Sequence, residues 1–141
     1  MAVTWKFYTD SGLTTELVGN LVIAQNQDGS TGDIDGVLYF GSTEVSKTLQ
    51  ADSNPGVDQI SISITDSDPN PGTTPEATDL KLATSNGGLA GAVAGAALDL
   101  GVTLTSGVGN AVAVYYRQAT PTAPVGNYTE LGLTTNLLRE T

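Results

Sequence analysis

The stretch Ile60-Ser61-Ile62-Ser63-Ile64-Thr65 alternates strictly between an apolar and a polar residue. Successive side chains of a β-strand point to opposite faces, so this pattern places three isoleucines on one face of a half-buried strand. Residues 98–105 show the same alternation, with Leu or Val at every second position, and residues 110–118 give a third strand. Weaker strand patterns occur at residues 3–8, 17–25, 37–41, 44–49, 78–82 and 134–138.

Clusters of Gly, Pro, Asn and Asp separate these segments. Residues 54–56 and 68–72 contain prolines, which cannot continue a strand ladder, and residues 106–110 have the composition of a hairpin loop. The length of 141 residues fits one domain that spans 1–141. About eight or nine short strands at this spacing predict an all-β fold, namely a single β-sandwich of the Ig-like type or a related barrel.

The composition restricts both chemistry and partners. The chain has 15 acidic and 5 basic residues, so it is acidic, with a formal charge of −10. Because affinity for phosphate comes chiefly from Lys and Arg, we expect neither nucleic acid nor an anionic membrane as a partner. The sequence contains no His and no Cys, which excludes Ser-His-Asp and Cys-His catalysis and ordinary zinc sites. We therefore expect a protein that is not an enzyme.

A ten-residue phrase occurs near both ends of the sequence. Residues 8–17 read YTDSGLTTEL and residues 128–137 read YTELGLTTNL, with seven of the ten positions identical. One interpretation is a polar reverse turn around Gly12 or Gly132, followed by Thr-rich β-structure. A second is a pair of related surface features that meet a neighbouring subunit, and a third is coincidence in a Thr- and Gly-rich chain.

The terminal segments 1–17 and 127–141 combine strand propensity with few charges. An exposed strand edge of this kind can pair with a neighbouring chain, so we consider both segments as assembly arms. The candidate contact residues are Trp5, Phe7, Tyr8, Leu13, Leu17, Tyr128, Leu133, Leu137 and Leu138.

Asp28, Asp33 and Asp35 fall in one predicted loop and are candidate metal ligands. Calcium binds clustered carboxylate and carbonyl oxygens from loops, but the spacing lacks the closing Glu of an EF-hand. Solvated turn aspartates are the alternative, and we expect no other cofactor. The aromatic residues lie mostly in predicted strands, where core packing is the alternative to a sugar-binding platform.

Two parts of the sequence resemble a known class of protein. Residues 5–10 (WKFYTD), followed by residues 12–15 (GLTT), resemble the opening of small accessory structural proteins of tailed-phage virions. Residues 97–104 (ALDLGVTL) and 110–117 (NAVAVYYR) are similar to the closing strands of β-sandwich modules in phage structural proteins. The likeness includes no catalytic residue of any family.

This resemblance implies a capsid decoration protein, also called a cement protein, of a bacteriophage. Such proteins are small β-domains, commonly homotrimers, that bind the major capsid protein on the exterior of the capsid and stabilise the virion. The chain has no apolar run of signal-peptide length at its N-terminus, so we expect synthesis in the host cytoplasm. The alternative is a tail or baseplate component, or an adhesin-type module that binds a surface glycan.

Overall fold

A computed structural model describes residues 3–18, 20–21, 23–25, 34–67, 77–118 and 126–141. Within these residues the fold is all-β, as predicted, with three single-turn 3-10 segments and no helix long and apolar enough to cross a membrane. The strands are β1 (Lys6–Tyr8), β2 (Ile23–Gln25), β3 (Ile34–Gly41), β4 (Thr48–Ala51), β5 (Ser61–Asp66), β6 (Leu80–Ala83), β7 (Leu98–Asp99), β8 (Leu104–Thr105), β9 (Val112–Gln118), β10 (Gly126–Tyr128), β11 (Leu131–Thr135) and β12 (Leu138–Glu140).

The largest sheet has four antiparallel strands in the order β1-β3-β9-β6. The two longest strands, β3 and β9, lie at its centre with Leu38 opposite Val114. Leu38 and Val114 are buried, and so is Leu80 on β6, because alternate residues of each strand face the interior. The opposite face of this sheet carries the intervening residues, among them Tyr39 and Tyr115.

Three segments of the chain, residues 48–66, 98–105 and 131–140, build two further sheets side by side. The orders are β11-β5-β7 and β12-β4-β8, so the same three segments neighbour each other in both. Residues 52–59 form a loop between β4 and β5, and this loop separates the two sheets. At this break the main chain still pairs, since Asp52 N donates to Leu137 O (2.9 Å) and Asn136 N donates to Ser61 O (3.3 Å). A two-stranded sheet, β10-β2, completes the described strands.

One hydrophobic cluster connects these sheets. The prediction of a single sandwich was therefore too simple, because strands from three separate sheets pack around the shared interior. The buried members of the cluster are Trp5, Leu21, Leu38, Phe40, Leu49, Ile60, Ile62, Leu80, Leu82, Val114 and Leu131.

The alternating patterns predicted burial better than they predicted strand pairing. Ile60 and Ile62 are fully buried and Ile64 packs against the same core, as the hexapeptide indicated. Residues 98–105, by contrast, form two short strands in different sheets, because Gly101 adopts a φ of +101° between them. The hairpin predicted at residues 106–110 was also wrong, since β8 pairs with β4 and β9 pairs with β3 and β6.

Candidate functional site

The first copy of the repeated phrase is a closed polar turn. Asp10 accepts hydrogen bonds from Thr14 N (3.0 Å), Thr14 Oγ1 (2.7 Å) and Thr15 N (2.8 Å). Thr9 N donates to Thr15 O (2.8 Å) and closes the base of the turn. The Thr14 hydroxyl and the Thr15 amide hold the pKa of Asp10 below its usual value, because they bond to the charged carboxylate. The reverse turn predicted around Gly12 is present.

Leu13 attaches this turn to the first sheet. It has a φ of +54° and is buried although the residues on either side are exposed. A Cβ placed on Gly41 of β3 would lie 3.0 Å from Leu13 Cδ1, so the leucine packs directly over that glycine. The first copy is therefore anchored to its own chain.

The second copy has a different conformation, and the prediction of a turn around Gly132 was wrong. Residues 131–135 form β11, with Gly132 opposite Thr65 of β5. The substitutions between the copies account for the difference. Leu131, at the position of Ser11, is fully buried in the core, and Glu130, at the position of Asp10, is buried with no hydrogen-bond partner for either carboxylate oxygen among the described residues.

Asn136 also distinguishes the second copy. Its side chain accepts a hydrogen bond from Ser61 N (3.0 Å) and donates one to Gln59 O (2.9 Å). These bonds hold the ladder together at the break beside residues 52–59. The corresponding residue of the first copy, Glu16, instead pairs with Lys6 at 3.4 Å on the surface.

The candidate assembly residues are mostly part of the chain's own interior. Trp5, Tyr8 and Leu13 are buried, whereas Phe7, Leu17, Leu133 and Leu138 are partly buried against the core. Tyr128 lies on β10 opposite Ile23, and its side chain is outside the described residues. Leu137 differs from the rest, because 82% of it is exposed. Their role as assembly contacts remains a prediction.

Strand β12 provides an open sheet edge. Thr48 and Thr141 exchange two main-chain hydrogen bonds (3.0 and 2.9 Å). Because bonded and non-bonded pairs alternate along an antiparallel ladder, the main-chain N–H and C=O groups of Arg139 point toward β4. The N–H and C=O groups of Leu138 and Glu140 therefore point away from β4, and no bond to them occurs within the described part of the chain.

The outer edges of β1, β6 and β11 are partly covered, unlike that of β12. Each accepts a main-chain hydrogen bond of 2.8 Å from a neighbouring loop. The three bonds run from Leu17 N to Phe7 O, from Gly95 N to Leu80 O and from Leu21 N to Leu131 O.

A hollow of about 360 Å³ lies beside this open edge and is lined by Asp52 and residues 138–141. Arg139 Nη2 lies 3.1 Å from Asp52 Oδ1, and both side chains are about half exposed. The Glu140 carboxylate is held by the N-terminal segment, because it accepts hydrogen bonds from Thr4 N (3.0 Å) and Thr4 Oγ1. Sequence reasoning missed this site, because Asp52 and Arg139 are 87 residues apart and meet only through the pairing of β4 with β12.

The metal-ligand candidates are only partly placed. Asp28 and Asp33 lie outside the described residues, and Asp35 on β3 forms a bidentate pair with Arg117 on β9 (2.8 and 3.0 Å). The Arg117 guanidinium holds the pKa of Asp35 below its usual value, since it bonds to the charged carboxylate. Among the described residues no group of three or more acidic side chains could hold a metal ion.

The aromatic residues divide between the two faces of the first sheet. Phe7 and Phe40 pack on the inner side with ring centroids 5.0 Å apart. Tyr116 is half-buried, and burial raises its pKa. Tyr39 and Tyr115 lie on the outer face and are partly exposed, with Tyr115 in the row next to the pair formed by Asp35 and Arg117.

Two loops at one end of the molecule present apolar side chains to solvent. Ser106 N donates to Lys47 O and Gly107 N donates to Ser42 O, both at 2.9 Å, so the loops of residues 42–47 and 106–110 lie side by side. Val45 on the first loop is 77% exposed and Val108 on the second is 45% exposed.

No family model, curated protein or solved structure matches this chain.

Proposed function

We propose that the chain is a non-enzymatic structural protein of a virion, a capsid decoration protein that binds the major capsid protein and stabilises the particle from outside. The observation that supports this proposal best is the apolar end formed by the loops at residues 42–47 and 106–110. Val45 and Val108 are exposed on two loops that hydrogen-bond to each other. Apolar residues grouped on a surface mark contact sites more often than single ones do. Val45 and Val108 would contact the capsid shell.

The low charge content supports the same role. Charged residues make up 14% of the chain, and three of the five basic side chains are paired with acidic residues, at Lys6, Arg117 and Arg139. A surface poor in free cations suits contact with protein better than contact with phosphate. A homotrimer on the capsid exterior, as the resemblance implies, is part of this proposal.

Electron microscopy of purified phage particles tests the proposal. We expect antibodies against the chain to label the capsid exterior, and we expect particles stripped of the protein to lose their DNA at a lower temperature. Adding back Val45→Asp or Val108→Asp should fail to restore the particles, whereas Val93→Asp should restore them, because Val93 is exposed on the separate loop at residues 89–97. Label confined to the tail, or none on the particle, would contradict the proposal.

A second candidate function is glycan recognition by a tail or adhesin-type module. The observation that favours it is the outer face of the first sheet, where Tyr115 follows the charged pair of Asp35 and Arg117 and Tyr39 lies one row further along. Partly exposed aromatic rings next to fixed polar groups form a common type of binding surface. A glycan array run with and without a chelator, using Tyr39→Ala and Tyr115→Ala as controls, decides the matter. Absence of binding under both conditions would rule this function out.

A further inference from the structure

We propose that the open edge of β12 pairs with the same edge of a second copy of this chain, antiparallel, about a two-fold axis that passes beside Leu138. Strand addition of this kind satisfies main-chain groups that one copy leaves open. The proposal rests on the geometry of β12 and is independent of the role of the protein in a virion. A two-fold contact is self-complementary, so it joins two copies and is a different contact from the three-fold one of the homotrimer that the resemblance implies.

The main-chain pattern restricts which residues can exchange bonds with a partner, because within β12 only Leu138 and Glu140 direct their N–H and C=O groups away from β4. Leu138 directs its N–H and C=O away from β4, so it can exchange both bonds with the partner's Leu138. In this register Arg139 stands opposite the partner's Leu137. Leu137 in turn neighbours Asp52 within each copy, because Asp52 N donates to Leu137 O.

The exposed side chains fit this register. Arg139 and Asp52 are half exposed and of opposite sign, and Leu137, on the same edge segment as Arg139, is 82% exposed. In the paired sheet, Arg139 of one copy therefore lies beside the partner's Leu137, and the partner's Asp52 lies beyond that leucine. The two-fold axis produces this row of three residues twice. The aliphatic stem of Arg139 would cover the partner's Leu137, while its guanidinium approaches the partner's Asp52.

The charges also favour a second copy over a foreign strand. The edge carries one cation, Arg139, flanked by two carboxylates, Asp52 and Glu140, and Glu140 is held by Thr4. A basic segment would meet Arg139, and an acidic one would meet the carboxylates. In the two-fold pairing, Arg139 of each copy approaches the partner's Asp52, while Glu140 stays bound to Thr4 of its own chain. Moving the two-fold axis by one residue, from Leu138 to Arg139, would place Arg139 opposite the partner's Arg139, and like charges directly opposite each other destabilise a strand pair.

Disulfide trapping tests the register directly, because the native chain has no cysteine. Opposed residues of an antiparallel pair have Cα atoms about 4.5–5.5 Å apart, within the range a disulfide can span. The experiment uses the full chain with Leu137→Cys and Arg139→Cys, each alone and mixed, under mild oxidation. Both positions are exposed, so neither substitution disturbs the core. Val93→Cys, exposed on a distant loop, gives the background of random collision.

We expect the mixture of Leu137→Cys and Arg139→Cys to form a disulfide-linked dimer several-fold faster than the Val93→Cys control. Leu138→Cys alone should also crosslink, since this position lies at the axis. Rapid crosslinking of Arg139→Cys alone would overturn the proposed register. Crosslinking no faster than the control for the mixture would overturn the pairing itself, and it would leave the capsid proposal standing.

Discussion

The two copies of the repeated phrase predict opposite outcomes for one and the same substitution. Gly12 lies in the exposed turn and Gly132 lies in the buried strand β11. A Cβ at Gly132 would fall 2.8 Å from Thr65 Oγ1 and still closer to Asn20 Oδ1. A Cβ at Gly12 would meet only Asp10 Oδ2 at 3.2 Å and Thr14 Cγ2 at 3.8 Å. Alanine should therefore be tolerated at the first position and harmful at the second.

The structure also indicates the size of the difference. Overpacking of this kind costs about 1–3 kcal/mol. Asn20 would have to move, and the hydrogen bond from its Nδ2 to Thr129 O (2.8 Å) would be lost, which adds about 0.5–1.5 kcal/mol. We expect Gly132→Ala to lower the free energy of unfolding by about 1.5–4.5 kcal/mol, the sum of these two terms. For Gly12→Ala we expect a change within about 1 kcal/mol, because the loss of unfolded-state entropy offsets the tight contact with Asp10.

Trp5 provides the assay. It is the single tryptophan of the chain and is buried in the core, so its fluorescence reports global unfolding in urea. Thermal unfolding should show Gly132→Ala melting roughly 5–15 °C lower than the parent. The double variant with Asn20→Ala should recover part of the loss, since one of the two clashing groups is then absent. Equal effects of alanine at Gly12 and Gly132 would refute the assignment of different conformations to the two copies.

Three further predictions concern single side chains. Gly36→Ala should lower the free energy of unfolding by about 1–3 kcal/mol in urea titrations, because an added Cβ would lie 2.7 Å from Tyr116 Cε1 and closer still to Cζ and the hydroxyl oxygen of the same side chain. Glu130→Met should raise the unfolding free energy by about 1–3 kcal/mol, since it removes a buried carboxylate that has no hydrogen-bond partner among the described residues; an unchanged or lower midpoint would contradict this. Asp10 and Asp35 have folded pKa values below the ordinary 3.8, so their stabilisation is present above that pH and is lost as the pH falls through the lower folded values. The acid-induced decline in urea midpoint should be smaller when both are changed to Asn.

The all-β class followed from local patterns, whereas the arrangement of the sheets did not. Alternation within residues 60–65 depends only on which face is buried, so the sequence reveals it directly. Strand partners are set by contacts between distant segments, and the pattern at residues 98–105 is continuous across two different sheets. The break there depends on the φ of Gly101, and a glycine within an alternating run does not by itself indicate a positive φ.

In the candidate site, too, local patterns were visible in the sequence whereas contacts between distant segments were not. The repeated phrase identified segments that matter to the fold, but it could not indicate that Leu17 packs against the core while Leu137 is exposed. That difference depends on whether the phrase folds into a turn or a strand. Asp10 is short enough to accept bonds from Thr14 and Thr15 in the turn, and Leu131 replaces an exposed serine with a core residue in the strand.

The excursion of residues 52–59 makes the chain a natural carrier for foreign peptides. Every residue of the excursion is exposed, and the bonds that secure its base, from Asp52 to Leu137 and from Asn136 to Ser61, lie outside its tip. A peptide inserted between Pro55 and Gly56 would leave both bonds intact, and lengthening a loop adds closure entropy only slowly. Each copy would then present its cargo at a fixed position, and an assembly of many copies would display it as a regular, multivalent array.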